Sequence, residues 1–401
     1  MRVTVIPGGI TAAEGFRAAG VAAGIKASGA LDVSLIVADR PASAAAVFTT
    51  NQVQAAPVQV SRANLAASGG VARAVIVNSG CANACTGDRG LATARATAVA
   101  VADLVGCPPE QVLVSSTGVI GVHLPADKVV AGAAAAFAAL GRDGHAAARG
   151  IMTTDTGPKE FAALVETPAG AFHVGGIAKG AGMIEPMMAT MLAYLTTDAG
   201  VSPPLLDRAL REVTGRTFNA ITVDGECSTN DTCAVLASGA SGVVIDEQRY
   251  PLLVAGLETV ARALALAIVR GGEGATKLVA VHVSGADSDA DAMRAAKTIA
   301  NSPLVKTAIH GADPNWGRLV SASGRSGARF VLDHARVQVG PLVLFRDGQP
   351  FDDQAPAAAE YLRGTELDVS VDLGTGGPGT AVAWTCDLSA EYVRINGEYR
   401  T

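Results

Sequence analysis

The run Lys179-Gly180-Ala181-Gly182-Met183-Ile184-Glu185-Pro186-Met187-Met188-Ala189-Thr190-Met191-Leu192 constrains this chain more than any other stretch. Its glycines and Pro186 disfavour regular structure before Ala189, because glycine spreads the backbone over both signs of φ and proline restricts the residue ahead of it. Met191-Leu192-Ala193-Tyr194-Leu195 then reads as the start of a buried strand. A hydroxyl residue, Thr190, therefore stands where irregular backbone becomes sheet. If the peptide bond ahead of it were broken, Thr190 would carry a nucleophilic hydroxyl and, as a new N-terminus, its own base, since a free α-amine has a pKa of about 7.7–8.0. Taken alone, a threonine opening a strand is ordinary β-propensity.

A length of 401 residues suggests two or three structural domains. The hydrophobic share of 49% against 17% charged marks an ordered globular chain, and because aromatics supply only 4%, its core must be close-packed alanine and valine. The net charge of -6, with no Lys/Arg cluster interleaved with aromatics, argues against a nucleic-acid partner. Arg2-Val3-Thr4-Val5-Ile6 is interrupted by Pro7-Gly8-Gly9 before a signal-peptide core can form. The longest apolar stretch reads as Val129 to Leu140, alanine-dominated and short of the roughly 20 residues of a membrane span. The expectation is a cytoplasmic protein without a membrane partner. Six cysteines without a Cys-x-x-Cys pair suggest reduced thiols, with Cys81 and Cys85 buried and structural rather than metal ligands.

Short apolar runs such as Val33 to Val37 and Ala74 to Val77, closed by Gly, Asn, Asp or Pro, predict strands. The alanine-rich segments Leu91 to Val105 and Pro125 to Leu140 predict helices on either side of a Val112 to Ser115 strand. Further helices are predicted over Pro203 to Val213, Glu247 to Val269 and Asp287 to Ala300, with a strand over Leu278 to Val283. Alternation of this kind suits a two-layer or four-layer α/β arrangement. From Phe330 the chain becomes a succession of short strands, which places a smaller α+β C-terminal subdomain over approximately 280–401.

Acyl transfer needs an oxyanion stabiliser as well as a base. A Thr117-Gly118 turn after the Val112 to Ser115 strand could aim a backbone N–H and a hydroxyl at one point, or be a plain strand-ending turn. Lys179 could meet a carboxylate or be a solvated lysine, and Glu273 could pair with an ammonium or sit in a surface turn. Gly374-Thr375-Gly376-Gly377-Pro378-Gly379 matches a dinucleotide fingerprint by letter, but Pro378 and a following strand make it a hairpin turn. His310-Gly311-Ala312-Asp313-Pro314-Asn315-Trp316-Gly317-Arg318 reads as a structural loop rather than a hidden His-Asp pair.

The Lys179 to Leu192 run resembles the glutamate N-acetyltransferase family, also called ornithine acetyltransferase, of arginine biosynthesis. Further landmarks are Asn78-Ser79-Gly80-Cys81-Ala82-Asn83-Ala84, Ser116-Thr117-Gly118-Val119-Ile120-Gly121, Thr153-Thr154-Asp155-Thr156 and Ile395-Asn396-Gly397-Glu398-Tyr399-Arg400-Thr401, so the likeness spans essentially the whole chain. It implies an α/β (α+β) layered sandwich of the self-cleaving, N-terminal-nucleophile-like aminopeptidase/ornithine acetyltransferase type. It also implies cleavage between Ala189 and Thr190 into chains 1–189 and 190–401, assembled as an α2β2 heterotetramer. By the same resemblance Thr190 is the nucleophile, Thr117 and Gly118 form the oxyanion hole, and Thr153, Lys179, Thr190, Glu273, Asn396 and Thr401 contact substrate. The implied reaction moves acetyl from N-acetylornithine to glutamate without cofactor or metal, and leaves acetyl-CoA open as a second acetyl donor. In the loop Asp224 to Thr232 the family more often has Asp and Thr where Glu226 and Cys227 stand. A self-cleaving aminopeptidase of the same architecture and a noncatalytic amino-acid-binding protein are the rival readings.

Overall fold

The computed structural model describes residues 2–185 and 191–398, which divide into two compact units. The first comprises the chain up to Asn219 together with Cys227–Ile268, and the second comprises Ala220–Glu226 and Val269–Arg400.

In the first unit the strands β1 (Arg2–Ile6), β2 (Phe16–Val21), β3 (Val33–Phe48), β4 (Val71–Cys81), β5 (Val112–Val119), β6 (Lys159–Thr167), β7 (Gly170–Lys179), β8 (Leu192–Thr197) and β9 (Thr232–Ala237) make one sheet. Its order is β1-β6-β7-β8-β9-β3-β4-β5, with β2 also on β3. The helices are α1 (Ala56–Ala67), α2 (Gly87–Val105), α3 (Ala126–Ala138), α4 (His145–Gly150), α5 (Pro203–Arg216) and α6 (Tyr250–Arg270).

The long strand β3 belongs to both halves of this sheet. Its first half pairs with β2 and β4 and its second with β9, and the register against β4 shifts between Val37 and Ala42, around the exposed Asp39-Arg40-Pro41. A break of this kind bends a strand and turns the sheet back on itself. Ile36, Val75, Val77 and Leu113 from one half then meet Ile177, Leu192, Tyr194 and Leu236 from the other in a single buried cluster. On the opposite face of the first half, alternate residues Val33, Leu35, Ile76 and Val114 pack against Ala94, Ala98 and Val101 of α2 and Ala133 and Ala136 of α3. α6 covers the second half: a Cβ on Gly256 would lie 2.7 Å from Val165 and 3.2 Å from Val174. The result is the layered α/β sandwich the sequence led us to expect, helix on sheet on sheet on helix.

Parallel neighbours need a crossover, and the helices supply it. α2 joins β4 to β5 and α5 joins β8 to β9. α2 stops at Gly106, whose φ of 73° suits glycine and whose N–H bonds to Ala102 O. β7 and β8 are antiparallel neighbours with Lys179 opposite Leu192, so residues 180–191 run from the end of one strand to the start of the next.

The second unit holds β10 (Leu278–Ala286), β11 (Arg336–Val339), β12 (Leu342–Arg346), β13 (Gln349–Pro350), β14 (Glu366–Asp372) and β15 (Gly379–Cys386) in the order β13-β12-β11-β14-β10-β15. Its helices are α7 (Asp289–Ala300), α8 (Pro303–His310), α9 (Trp316–Gly324), α10 (Ala355–Tyr361) and α11 (Ala390–Glu398). Ser288 caps α7 by accepting Asp291 N–H, and Asp289 and Asp291 complement the positive end of the helix dipole. Val279, Val281 and Val283 of β10 pack against Ala292, Ala295 and Ile299 of α7.

Three sequence expectations are corrected here. Val129 to Leu140 is not the longest apolar stretch: among the described residues helix α6 is long and apolar enough to cross a membrane, but its Leu253, Leu257, Val260, Leu264 and Ile268 are buried as a core face. Gly374 to Gly379 is no hairpin, because β14 and β15 lie on opposite edges of β10 and the loop passes across it. Cys81 is buried, but Cys85 is exposed.

β2 passes so close to α4 that a Cβ on Gly20 would lie 1.9 Å from Ala146 O. Gly20→Ala is expected to destabilise the chain by about 1–3 kcal/mol or more. Gly157→Ala, where nothing lies within 4 Å, is expected to change stability by less than about 0.5 kcal/mol. Urea denaturation of the two variants checks both values.

Candidate active site

Thr117 and Gly118 lie within β5 rather than in a turn beyond it. The strand continues to Val119 because β4 presents Gly80 opposite Gly118, after which the pairing shifts register at Cys81. Gly118 has φ 126°, and a Cβ there would lie 2.4 Å from Gly80 C and 2.7 Å from Cys81 N. Only glycine fits, so the backbone at this point is fixed by close approach of two strands. Ser116, two residues earlier, is held from two sides. Ser116 Oγ donates to Asn78 Oδ1 at 2.6 Å, and Asn230 Nδ2 donates to Ser116 O at 2.8 Å and to Ala82 O at 2.6 Å.

Lys179 closes β7 and is only 8% exposed, which removes the solvated-lysine reading. Its Nζ donates to Thr117 Oγ1 at 3.3 Å. Behind it lies Asp155, whose side chain is fully buried. Oδ1 accepts Lys159 Nζ at 2.5 Å and Gly180 N at 2.7 Å, while Oδ2 accepts Thr153 N at 3.0 Å. Burial alone would raise the Asp155 pKa, but the charges of Lys179 and Lys159 and the Gly180 N–H outweigh it and hold the group at about 2. Lys26 joins the cluster, its Nζ donating to Leu31 O at 2.8 Å and Met152 O at 2.7 Å. Burial lowers its pKa, and Asp32 and Asp155 partly restore it.

The first unit thus brings Thr117 and Lys179 into direct contact and ties Thr153 to them through Asp155. In the second unit Asn396 Nδ2 donates to Glu273 Oε2 at 2.8 Å. Glu273 is 7% exposed, so it is not the residue of an open surface turn. Gly274 beside it, at φ 68°, lets Tyr392 N of α11 approach where a Cβ would be 2.5 Å away. Ala189, Thr190 and Thr401 lie outside the described residues. The His310 segment does form a His-Asp pair, but with Asp387 (2.7 Å) rather than Asp313, and Asn315 caps α9.

Asp155, Lys159 and Lys26 were not singled out from sequence. The four-residue spacing of Asp155 and Lys159 was a weak signal, and nothing local announced Lys26. Chemically, an ammonium and a hydroxyl beside a glycine backbone N–H can hold a carboxylate or meet negative charge developing on a carbonyl oxygen.

Because the Asp155 pKa is depressed on folding, its contribution to stability is present above the unfolded value near 3.9 and is lost as pH falls toward about 2. Asp155→Asn leaves buried lysines without their counter-charge and is expected to cost about 3–5 kcal/mol at pH 7. Denaturant unfolding at a series of pH values should show that difference shrinking between pH ~4 and pH ~2.

A family model described as ArgJ matches residues 17–401. The chain is 47% identical over 398 residues to the "Arginine biosynthesis bifunctional protein ArgJ" of Parasynechococcus marenigrum (strain WH8102), covering 99% of this chain and 96% of that protein. It is 48% identical over 402 residues to the protein of the same name from Symbiobacterium thermophilum, covering 99% of each. The crystal structure of the Bacillus halodurans protein of that name has 41% identity and a TM-score of 0.49, covering 51% of this chain and 97% of that one. The chain belongs to the ArgJ family.

Proposed function

We propose that this chain is an autoprocessed acetyltransferase that moves acetyl from N2-acetyl-L-ornithine to L-glutamate through an acetyl-Thr190 intermediate, in arginine biosynthesis. The observation that carries the reading is the contact between Lys179 and Thr117, at the strand end from which the Ala189-Thr190 segment departs. The full-length likeness to proteins named for arginine biosynthesis supports it.

Thr190 hydroxyl attacks the Ala189 carbonyl, and water hydrolyses the resulting ester, leaving Thr190 as a new N-terminus. Its amine then serves as base when the same hydroxyl attacks the acetyl group of the donor. Negative charge gathers on the acetyl oxygen, which the Thr117 hydroxyl and the Gly118 N–H receive. Lys179, held beside Thr117 and balanced by Asp155, supplies the positive charge for a substrate carboxylate. Glu273, steadied by Asn396, takes the side-chain ammonium of ornithine. Ornithine leaves and glutamate takes its place, so one α-amide replaces another and the exchange needs no metal or ATP. The word "bifunctional" in the relatives' name makes acetyl-CoA the natural second donor to assay.

Denatured intact mass, with and without acetylornithine, tests the reading. Two fragments, 1–189 and 190–401, with one acetyl added to the second by substrate, are expected, and an intact chain that never acetylates overturns it. Thr117→Val should lower kcat by about 10²–10³-fold, the usual cost of one oxyanion donor, in a steady-state transfer assay.

A further inference from the structure

Lys26 reaches across the first unit to a peptide bond that no motif connects with it. It stands in the loop between β2 and β3, where its own backbone is fixed by the fully buried Asp32, which accepts Ala23 N and Ile25 N at 2.6 Å and Lys26 N at 2.9 Å. Three N–H groups closed around one carboxylate make this loop a firm mount for the side chain it carries. The stem of that side chain then runs past Gly80, where a Cβ would lie 3.0 Å from Lys26 Cγ. A side chain at position 80 would press on the lysine at the point where β4 faces Gly118.

The Nζ group ends on two carbonyls, Leu31 O at 2.8 Å and Met152 O at 2.7 Å. Met152 O belongs to the same peptide unit as Thr153 N, which donates to Asp155 Oδ2 at 3.0 Å. One planar peptide is thus gripped at its carbonyl by an amine and at its N–H by a carboxylate, each favouring the end of the peptide dipole that it touches. Burial lowers the Lys26 pKa, yet the grip does not depend on charge, because two carbonyls need two N–H donors and a lysine amine has two even when neutral. Fixing the plane of this peptide fixes the Cα of Thr153. The Thr153 side chain is half-buried, and its hydroxyl has no hydrogen-bond partner among the described residues. A hydroxyl carried on so firmly held a backbone, and bonded to nothing in the protein, is ready to meet a ligand.

We propose that Lys26 is a positioning residue for substrate binding, which through Met152 O holds the Thr153 peptide against Asp155 so that the Thr153 hydroxyl meets the substrate in one fixed place. The role rests on the acetyltransferase reading above and on the substrate contact that the family resemblance implies for Thr153. Asp155 also accepts Gly180 N, next to Lys179, so one carboxylate sets both the Thr153 contact and the Lys179 charge, and Lys26 holds the far end of that chain of bonds. Lys26 itself touches no reacting atom. Acetylornithine and glutamate occupy the site in turn, so a residue acting through Thr153 affects the binding of both and leaves the acyl step alone.

Lys26→Met keeps most of the stem and removes the donors. Self-cleavage and kcat are expected to stay within about threefold of the parent protein, while KM for acetylornithine and for glutamate rises about tenfold, the size of one good polar contact. Lys26→Arg, which restores N–H donors, should bring KM back toward the parent value. Thr153→Ala should raise KM in the same way, and K26M added to T153A should raise it no further, because the lysine acts through the threonine. Hydrogen exchange read by mass spectrometry follows the grip without an assay: in K26M the peptide that contains Thr153 is expected to exchange faster while the rest of the first unit exchanges as in the parent. Parent-like KM values, a fully additive double variant, or faster exchange spread over the whole first unit each overturn the proposal, the last because the lysine would then serve stability alone. Should K26M not accumulate folded, K26A, which leaves the place of the half-buried side chain to water, carries the same expectations. A parent protein that transfers no acetyl group removes the acetyltransferase reading, and this role with it.

Discussion

The carboxylate of Asp155 ties together segments that the chain keeps far apart. It accepts from Lys159 in β6, from Gly180 just beyond β7 and from the backbone of Thr153. It also offsets the charge of Lys179. Removing a lysine from water is costly, and two lysines in one buried place are tolerable only with a counter-ion between them. Without Asp155, Lys179 would have reason to turn toward solvent, and its contact with Thr117 would go with it. The place of Lys179 beside Thr117 therefore depends on an ion pair made behind it.

A second constraint is purely steric. Gly80 and Gly118 face one another at the ends of parallel strands, and neither backbone could reach its place with a side chain on Gly118. Close approach fixes the backbone at Gly118, and the hydrogen bonds with Asn78 and Asn230 hold Ser116 just before it. Charge fixes one side of the site and backbone contact fixes the other. Neither relies on large side chains, in keeping with a core built of alanine and valine.

The layers were readable in the sequence because alanine-rich runs without interior breaks can only be helices here, and short valine-rich runs ending in glycine or asparagine can only be strands. Thr117, Lys179 and Glu273 were readable as candidates through their motifs. What escaped was everything that depends on a partner distant in sequence. Thr117 and Gly118 read as a turn because the glycine that lets the strand continue is in β4. His310 read as lacking an acid because its aspartate, Asp387, follows β15 rather than standing three residues away. Gly374 to Gly379 read as a hairpin because only the sheet order shows β10 between the strands it joins. The ion cluster at Lys26 and Asp155 likewise exists only once the sheet has formed.

The antiparallel pairing of β7 with β8 gives the connecting segment an unusual thermodynamic position. Lys179 and Leu192 are already registered against each other, and the sheet continues beyond the pair on both sides, through β6 to β1 and through β9 to β3, β4 and β5. A cut between Lys179 and Leu192 would leave the described pairing of β7 with β8 in place. The unfolded state changes far more, since one tethered coil becomes two independent ones. Stability would then acquire a dependence on protein concentration, as in a dimer, and the recovery of a denatured sample would require two chains to find each other again.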